Sequence, residues 1–197
     1  MPRAELVVVG CSWGGLEALG RVLQLLPASF EPPVVAAQHR SADPAGDGLA
    51  AALAGISALP VREVDDKDRV QPGTVYVAPA DYHLMVTRAG FELSVDEPVR
   101  FSRPSIDVLF ESAADEYRAG VVGVLLTGAN ADGTAGLARI REFGGLTLVQ
   151  DPATAERPEM PAAAVAAGVA DRVLPLDGIA AALARLGGVR DGPGAAT

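Results

Sequence analysis

Ser12, His39 and Asp132 are the residues of this 197-residue chain whose types and settings could do chemistry together. Ser12 lies in Gly10-Cys11-Ser12-Trp13-Gly14-Gly15, directly behind the apolar run Leu6-Val7-Val8-Val9. The stretch matches G-x-S-x-G letter for letter, a pattern that projects a hydroxyl from a sharp turn and leaves backbone N–H groups to hold an oxyanion. A serine hydroxyl is a weak nucleophile until an imidazole takes its proton. The imidazole in turn needs a carboxylate on its far nitrogen to hold its tautomer and stabilise the imidazolium. The chain has two histidines, so the search for a base is short. The order serine, histidine, aspartate differs from the α/β-hydrolase order of nucleophile, acid, histidine, and the motif alone does not place the chain in that class.

Taken one at a time, these residues have plainer readings. Gly10–Gly15 also suits a tight strand–helix connection or a phosphate cradle, although it lacks the Lys-Ser/Thr of a P-loop and the full G-x-G-x-x-G spacing. His39 alone would serve to cap a carbonyl, and Asp132 before Gly133 is ordinary turn chemistry. His83 reads as structural or cleft-lining, and Cys11 as a small buried residue. Arg100 and Arg103 suit steering of an acidic substrate or structural ion pairs equally, and Asp65-Asp66-Lys67-Asp68 reads as a solvated loop. No His/Cys cluster has metal-ligand spacing, so neither metal nor cofactor is expected.

The elements that must position the three residues follow from hydrophobic patterning. Leu6–Val9 is a continuous apolar run, the pattern of a strand buried on both faces; Pro33–Gln38 and Val121–Leu126 read as further buried strands and Leu146–Gln150 as another strand. Val61–Val64 is a further candidate strand. Leu16, Leu19, Leu23 and Leu26 recur at helical spacing, with Pro27 as the stop. Ile106, Leu109, Phe110, Ala113, Ala114 and Tyr117 do the same, with Ser105 as N-cap and Asp107 favourable to the dipole in the first turn. Shorter helices are expected at Leu49–Leu53, Thr134–Phe143, Pro161–Ala167 and Ile179–Leu186. Alternating strands and helices predict a doubly wound α/β fold: a mostly parallel sheet flanked by helices on both faces. Thr74–Ala78, His83–Thr87 and Phe91–Val95 are read as an antiparallel hairpin or meander inserted into, or edging, that sheet. In such a sheet, functional groups collect at the carboxyl ends of the strands. Ser12 lies three residues past Val9, His39 directly after the strand ending at Gln38, and Asp132 in the loop after Leu126, so the three converge if their strands are neighbours.

The totals narrow the function classes. At 49% hydrophobic and 21% charged residues the chain is globular. A net charge of −9 argues against nucleic-acid binding and against adhesion to an anionic membrane. No apolar run is long enough to insert in a membrane, and no signal peptide is evident. One cysteine fits a reducing compartment, and a cytoplasmic protein is expected. Residues 1–190 are read as one domain and 191–197 as a disordered tail.

With these residues in view, the chain resembles the catalytic domain of the CheB-type chemotaxis protein-glutamate methylesterases over roughly Glu5 to Leu183. The matching blocks are Val9–Gly15, Gln38-His39, Pro72–Pro79 followed by His83, Arg103–Phe110, and Leu126-Thr127-Gly128 through Asp132-Gly133. The resemblance implies Ser12 as nucleophile, His39 as base and Asp132 as acid, on a doubly wound sheet carrying an antiparallel hairpin. It implies hydrolysis of glutamate γ-methyl esters on a partner protein, the signalling helices of a chemoreceptor, with glutamine deamidation as a second activity. Three departures stand out. Trp13 replaces the family's threonine or other small residue. Thr127-Gly128-Ala129-Asn130-Ala131-Asp132-Gly133 stands where the family reads T-G-M-G-N-D-G, so Ala129 replaces a methionine of the oxyanion region. Arg40-Ser41 replaces a hydrophobic residue and proline. The family's receiver domain is not expected here, which leaves constitutive activity or control in trans by a separate receiver protein. Two rival readings remain open: a partner-binding module without turnover on the same fold, and a phosphate or nucleotide binder using Gly10–Gly15 at a helix N-terminus.

Overall fold

The computed structural model describes residues 4–40 and 48–187, and the statements below refer to those. The expected tail at 191–197, and Ser41, lie outside the described residues.

Strand β1 (Leu6–Cys11) is followed by α1 (Gly15–Leu25), β2 (Val34–Gln38), α2 (Gly48–Ala54), β3 (Val61–Glu63) and β4 (Val75–Val77). Next come β5 (His83–Val86) and β6 (Phe91–Ser94), then α3 (Ile106–Tyr117), β7 (Val121–Leu125), α4 (Thr134–Glu142) and β8 (Leu146–Gln150). The last elements are α5 (Glu159–Ala166), β9 (Arg172–Leu174) and α6 (Leu176–Leu186). Seven strands form one sheet in the order β3-β4-β2-β1-β7-β8-β9, with every ladder parallel. From β1 the chain moves to β2, on to the edge strand β3 and back in to β4 on one side, then crosses to β7, β8 and β9 on the other, so the order reverses between β1 and β7, the switch point where α/β sheets open a crevice.

Strand β1 shows why its sequence is uninterruptedly apolar. Val7, Val9 and Cys11 pack with Leu19, Leu23 and Leu183, while Leu6 and Val8 pack with Ile106, Phe110 and Leu137. All of β1 is buried, as a central parallel strand covered on both faces requires.

Thr74–Ala78 departs from its expected place. Its central residues form β4, which runs parallel between β2 and β3 in the main sheet and is no part of the hairpin. Val75, Tyr76 and Val77 are fully buried, and a run apolar at every position suits a two-sided environment better than a one-sided hairpin. The hairpin itself, β5 with β6, is a separate two-stranded antiparallel sheet resting on α3. Edge strand β9 was not anticipated: only three residues long and partly exposed, it carries no apolar run.

Helix α3 begins where the site requires it. Ser105 caps it, its Oγ accepting from Val108 N at 3.4 Å. Gly10 lies so close to Ile106 that a Cβ would collide with the isoleucine side chain, and a Cβ on Gly133 would come within 2.8 Å of it. Both positions must be glycine for the first turn of α3 to lie between the ends of β1 and β7.

Candidate active site

The three residues chosen from strand ends converge. Strand β1 is flanked by β2 and β7, so the loops carrying Ser12, His39 and Asp132 meet at one crevice. Ser12, Trp13, His39, Ala129 and Asn130 line a cleft of about 730 Å³, together with Phe101, Ser102 and Arg103.

Asp132 lies behind His39, outside the cleft lining, and has no exposed surface. Its Oδ2 accepts from His39 Nε2 at 2.8 Å and Ile106 N at 2.7 Å. Its Oδ1 accepts from Asp107 N at 3.0 Å, Gly133 N at 3.0 Å and Ser105 Oγ at 3.1 Å. The carboxylate thus sits on the first N–H groups of α3, where the helix dipole favours negative charge. Burial alone would push its pKa up, but the His39 hydrogen bond and the Ile106 and Asp107 N–H groups outweigh this and hold it below the ordinary carboxylate range.

An ionised carboxylate only accepts, so His39 Nε2 carries the proton. Nδ1 faces two donor groups, Ser102 Oγ at 3.3 Å and Asn130 Nδ2 at 3.5 Å, and is left with its lone pair toward the cleft. The ring therefore presents an acceptor on the side that the cleft occupies.

Ser12 is partly exposed, and its hydroxyl makes no hydrogen bond among the described residues. Its backbone is held firmly. Ser12 N donates to Thr127 O at 2.9 Å, and Ser12 O accepts from Gly15 N at 2.8 Å and from Gln38 Nε2 at 2.6 Å. Gln38 Nε2 also donates to His39 O at 3.0 Å, and Gln38 Oε1 accepts from Cys11 Sγ at 2.9 Å. One side chain thus ties the ends of β1 and β2 together. A Cβ on Gly128 would lie 2.9 Å from Ser12 Cβ, so the loop after β7 closes on the serine turn. Among the described residues the N–H groups of Trp13 and Ala129 have no backbone partner, and both residues line the cleft.

The remaining candidates fall out plainly. His83 is buried away from the cleft, its Nδ1 accepting from Ser105 N at 3.2 Å and its Nε2 lying 3.1 Å from Glu97 O, a structural role. Burial pushes the Cys11 thiol up to about 12, which leaves it inert. Arg103 is a brace, pairing with Asp81 at 2.6 Å and donating to Val95 O at 2.7 Å. Arg100 lies 3.5 Å from Asp107. In the 65–68 loop, Asp66 accepts from Leu93 N and Asp68 pairs with Arg62. A phosphate at the start of α1 would meet the Glu156 carboxylate, which lies against Gly14 and accepts from Trp13 Nε1 at 2.8 Å. Among the described residues no cluster of His, Cys, Asp or Glu could hold a metal ion, and no helix is long and apolar enough to cross a membrane.

Sequence reasoning assigned no role to Gln38, Ser102 or Asn130. Gln38 stands beside His39 in a matching block, which was a usable signal. Asn130 likewise lies in a matching block, two residues before Asp132, whereas nothing in the sequence marks Ser102, because only the folding back of its loop brings it to the ring.

Comparison with known proteins gives a consistent picture. The sequence model of the CheB methylesterase family matches residues 7–183. A protein-glutamate methylesterase/protein-glutamine glutaminase of Anaeromyxobacter dehalogenans is 46% identical over 184 residues, covering 93% of this chain and 54% of that one. The protein-glutamate methylesterase FrzG of Myxococcus xanthus is 42% identical over 183 residues, covering 92% and 54%. The chain thus spans about half the length of these two relatives. It spans 94% of a Leptospira interrogans relative, 44% identical over 183 residues, that is provisionally named a protein-glutamate methylesterase/protein-glutamine glutaminase. Among solved structures, the catalytic domain of Thermotoga maritima CheB methylesterase superposes with a TM-score of 0.89 at 34% identity, covering 93% of this chain and 98% of that one.

Proposed function

The chain belongs to the CheB methylesterase family, and from that premise we propose that it hydrolyses glutamate γ-methyl esters on a partner protein through Ser12, His39 and Asp132. The observation that carries the assignment is the orientation of one imidazole. Nε2 is committed to Asp132 at 2.8 Å, while Nδ1 turns an acceptor lone pair toward the cleft that Ser12 lines.

In this reading Nδ1, and not Nε2, is the base. His39 takes the Ser12 proton as Oγ attacks the ester carbonyl. Asp132 stays ionised and stabilises the imidazolium without accepting its proton. The N–H groups of Trp13 and Ala129, without a backbone partner among the described residues, hold the oxyanion. A backbone donor needs no particular side chain, so neither Trp13 nor Ala129 removes this function by its identity. His39 then returns its proton to the leaving methoxide as methanol departs. Water, deprotonated by the same ring, opens the acyl-enzyme and regenerates Ser12 with a free glutamate. The same steps on glutamine release ammonia and give a glutaminase activity, as the names of several relatives pair the two.

The methylated partner we assign is the helical signalling region of a chemoreceptor, with a cytoplasmic site of action. The family supports the partner, and the single, free, buried cysteine suits a reducing compartment.

The test is reaction with an activated serine-directed phosphonate, with any adduct located by mass spectrometry. An adduct on Ser12 that disappears in His39→Ala is expected. No adduct would instead favour a partner-binding module that has lost turnover.

A further inference from the structure

The turn Val99–Ser102 carries an aromatic side chain in a setting that folding does not reward. Phe101 is 103% exposed, so it buries nothing. Its φ is 64°, and that of Arg100 is 49°, both in the left-handed region that bulky residues avoid. Val99 and Ser102 close the turn with reciprocal backbone hydrogen bonds of 3.2 and 2.9 Å. Arg103 braces its base through Asp81, Val95 O and Asp96 O. The turn is therefore built and presented, not loose. Phe101 lines the same cleft as Ser12, and so does Trp13, a second exposed aromatic at 60%. Trp13 is likewise held in place, by Glu156 at its indole N–H and by Arg157 5.2 Å from its ring centroid.

We propose that Phe101, with Trp13, is a specificity element that grips the helical surface around the esterified glutamate. This rests on the methylesterase reading above. The occupant is an α-helical protein segment carrying glutamyl methyl esters beside apolar side chains, and three features point to it. The cleft of about 730 Å³ far exceeds one esterified side chain, so it accommodates the surface around the ester as well. Exposed, pre-positioned aromatics are the residues that anchor protein–protein contacts. The chemistry also fits, because the ester is neutral and ends in a methyl group, whereas its hydrolysis product is a carboxylate. An aromatic rim suits the neutral methyl ester through apolar contact. Ser102 follows Phe101 directly and touches His39 Nδ1, so the turn that meets the partner also reaches the proposed base.

The experiment uses the full chain and the cytoplasmic fragment of a chemoreceptor, methyl-esterified in vitro. Binding is measured by calorimetry in a Ser12→Ala background, which prevents turnover. Phe101→Gly, which suits the left-handed turn and remains folded by thermal melting, should weaken binding about tenfold. Phe101→Tyr should bind within about twofold of the parent. In turnover with Ser12 intact, Phe101→Gly should lower kcat/KM for the protein ester about tenfold relative to kcat/KM for p-nitrophenyl acetate, chiefly through KM. Equal binding by Phe101→Gly, an unchanged ratio, or no binding of the fragment by any variant would overturn the proposal. Loss of the Ser12 phosphonate adduct in the parent protein would instead overturn the methylesterase reading, so the two failures are distinct.

Discussion

The two nitrogens of the His39 ring face opposite kinds of environment. On the Nε2 side lies Asp132, fully buried and served by five donors from His39, Ser105, Ile106, Asp107 and Gly133. On the Nδ1 side lie two contacts of 3.3 and 3.5 Å, and the cleft that the ring lines also holds Ser12, whose hydroxyl makes no hydrogen bond among the described residues, and a fully exposed phenylalanine. A buried charge is costly unless its partners are complete, so the acid end must be over-determined by the fold. The substrate end has to be incomplete, because the groups that complete it arrive with the substrate. Order is spent where charge is held, and slack remains where a partner must enter.

The contrast is broken or sharpened first by paired substitutions at the two ends. Ser12→Ala and Asp132→Asn should each reduce ester hydrolysis about 10⁴-fold or more. Their effects on folding should differ. Ser12→Ala should leave stability within about 0.5 kcal/mol, as a hydroxyl without a partner contributes little. Asp132→Asn should cost about 2–4 kcal/mol, because an amide NH₂ would face the N–H donors that the carboxylate accepts. Chemical denaturation of both proteins decides it, and equal stability would erase the proposed difference between the ends. The Asp132 contribution has a definite sign with pH. Its folded pKa is depressed, so the stabilisation is present above the ordinary carboxylate value and is lost as pH falls through the depressed one.

Next in size is Gln38→Leu, which removes the tie from Gln38 Nε2 to Ser12 O and His39 O. Small misplacements of reacting groups cost up to about 100-fold. A fall of about 10–100-fold in kcat, larger than the change in KM, is expected from steady-state kinetics. A change in KM alone would show that the serine turn is held without Gln38.

The smallest effect tests whether the acid end is uniformly optimised. Asp107 neighbours Asp132, and burial, aided by the Asp132 charge, pushes its pKa up to about 6 against the opposing hydrogen bond from Gly136 N. Arg100, at 3.5 Å, and Glu111 also face it. A raised folded pKa means that stability falls as pH rises from about 4 to about 6, as the group ionises in a site that disfavours its charge. Asp107→Asn still accepts from Gly136 N. It should remove that fall and gain about 1–3 kcal/mol at pH 7. Unfolding curves across pH 4–8 read this directly, and parallel profiles for the two proteins would count against it.

Much of this was legible in the sequence, for definite reasons. Strands covered on both faces are mostly apolar, so β1, β2, β7 and β8 are visible as runs in which Gln38, Thr147 and Gln150 are the polar exceptions. The periodicity of α3 and its Ser105 cap are local signals, and both reappear in the structure. In a doubly wound pattern functional groups collect at strand ends, and Ser12, His39 and Asp132 all stand there in the sequence.

Other features were beyond local reading. A short apolar run has no direction, so Thr74–Ala78 was assigned to an antiparallel unit although β4 lies inside the parallel sheet. The part-exposed edge strand β9 left no pattern at all. What the sequence by itself determined is the kind of chemistry and the end of the sheet that carries it, because residue type and strand periodicity are local properties. What only the tertiary structure decided is which imidazole nitrogen meets the acid, which donors hold Asp132, and which aromatics stand at the mouth. Those depend on approaches between segments as distant as Ser12 with Gly128 and His39 with Ser102, and such approaches exist only once the sheet has brought the loops together.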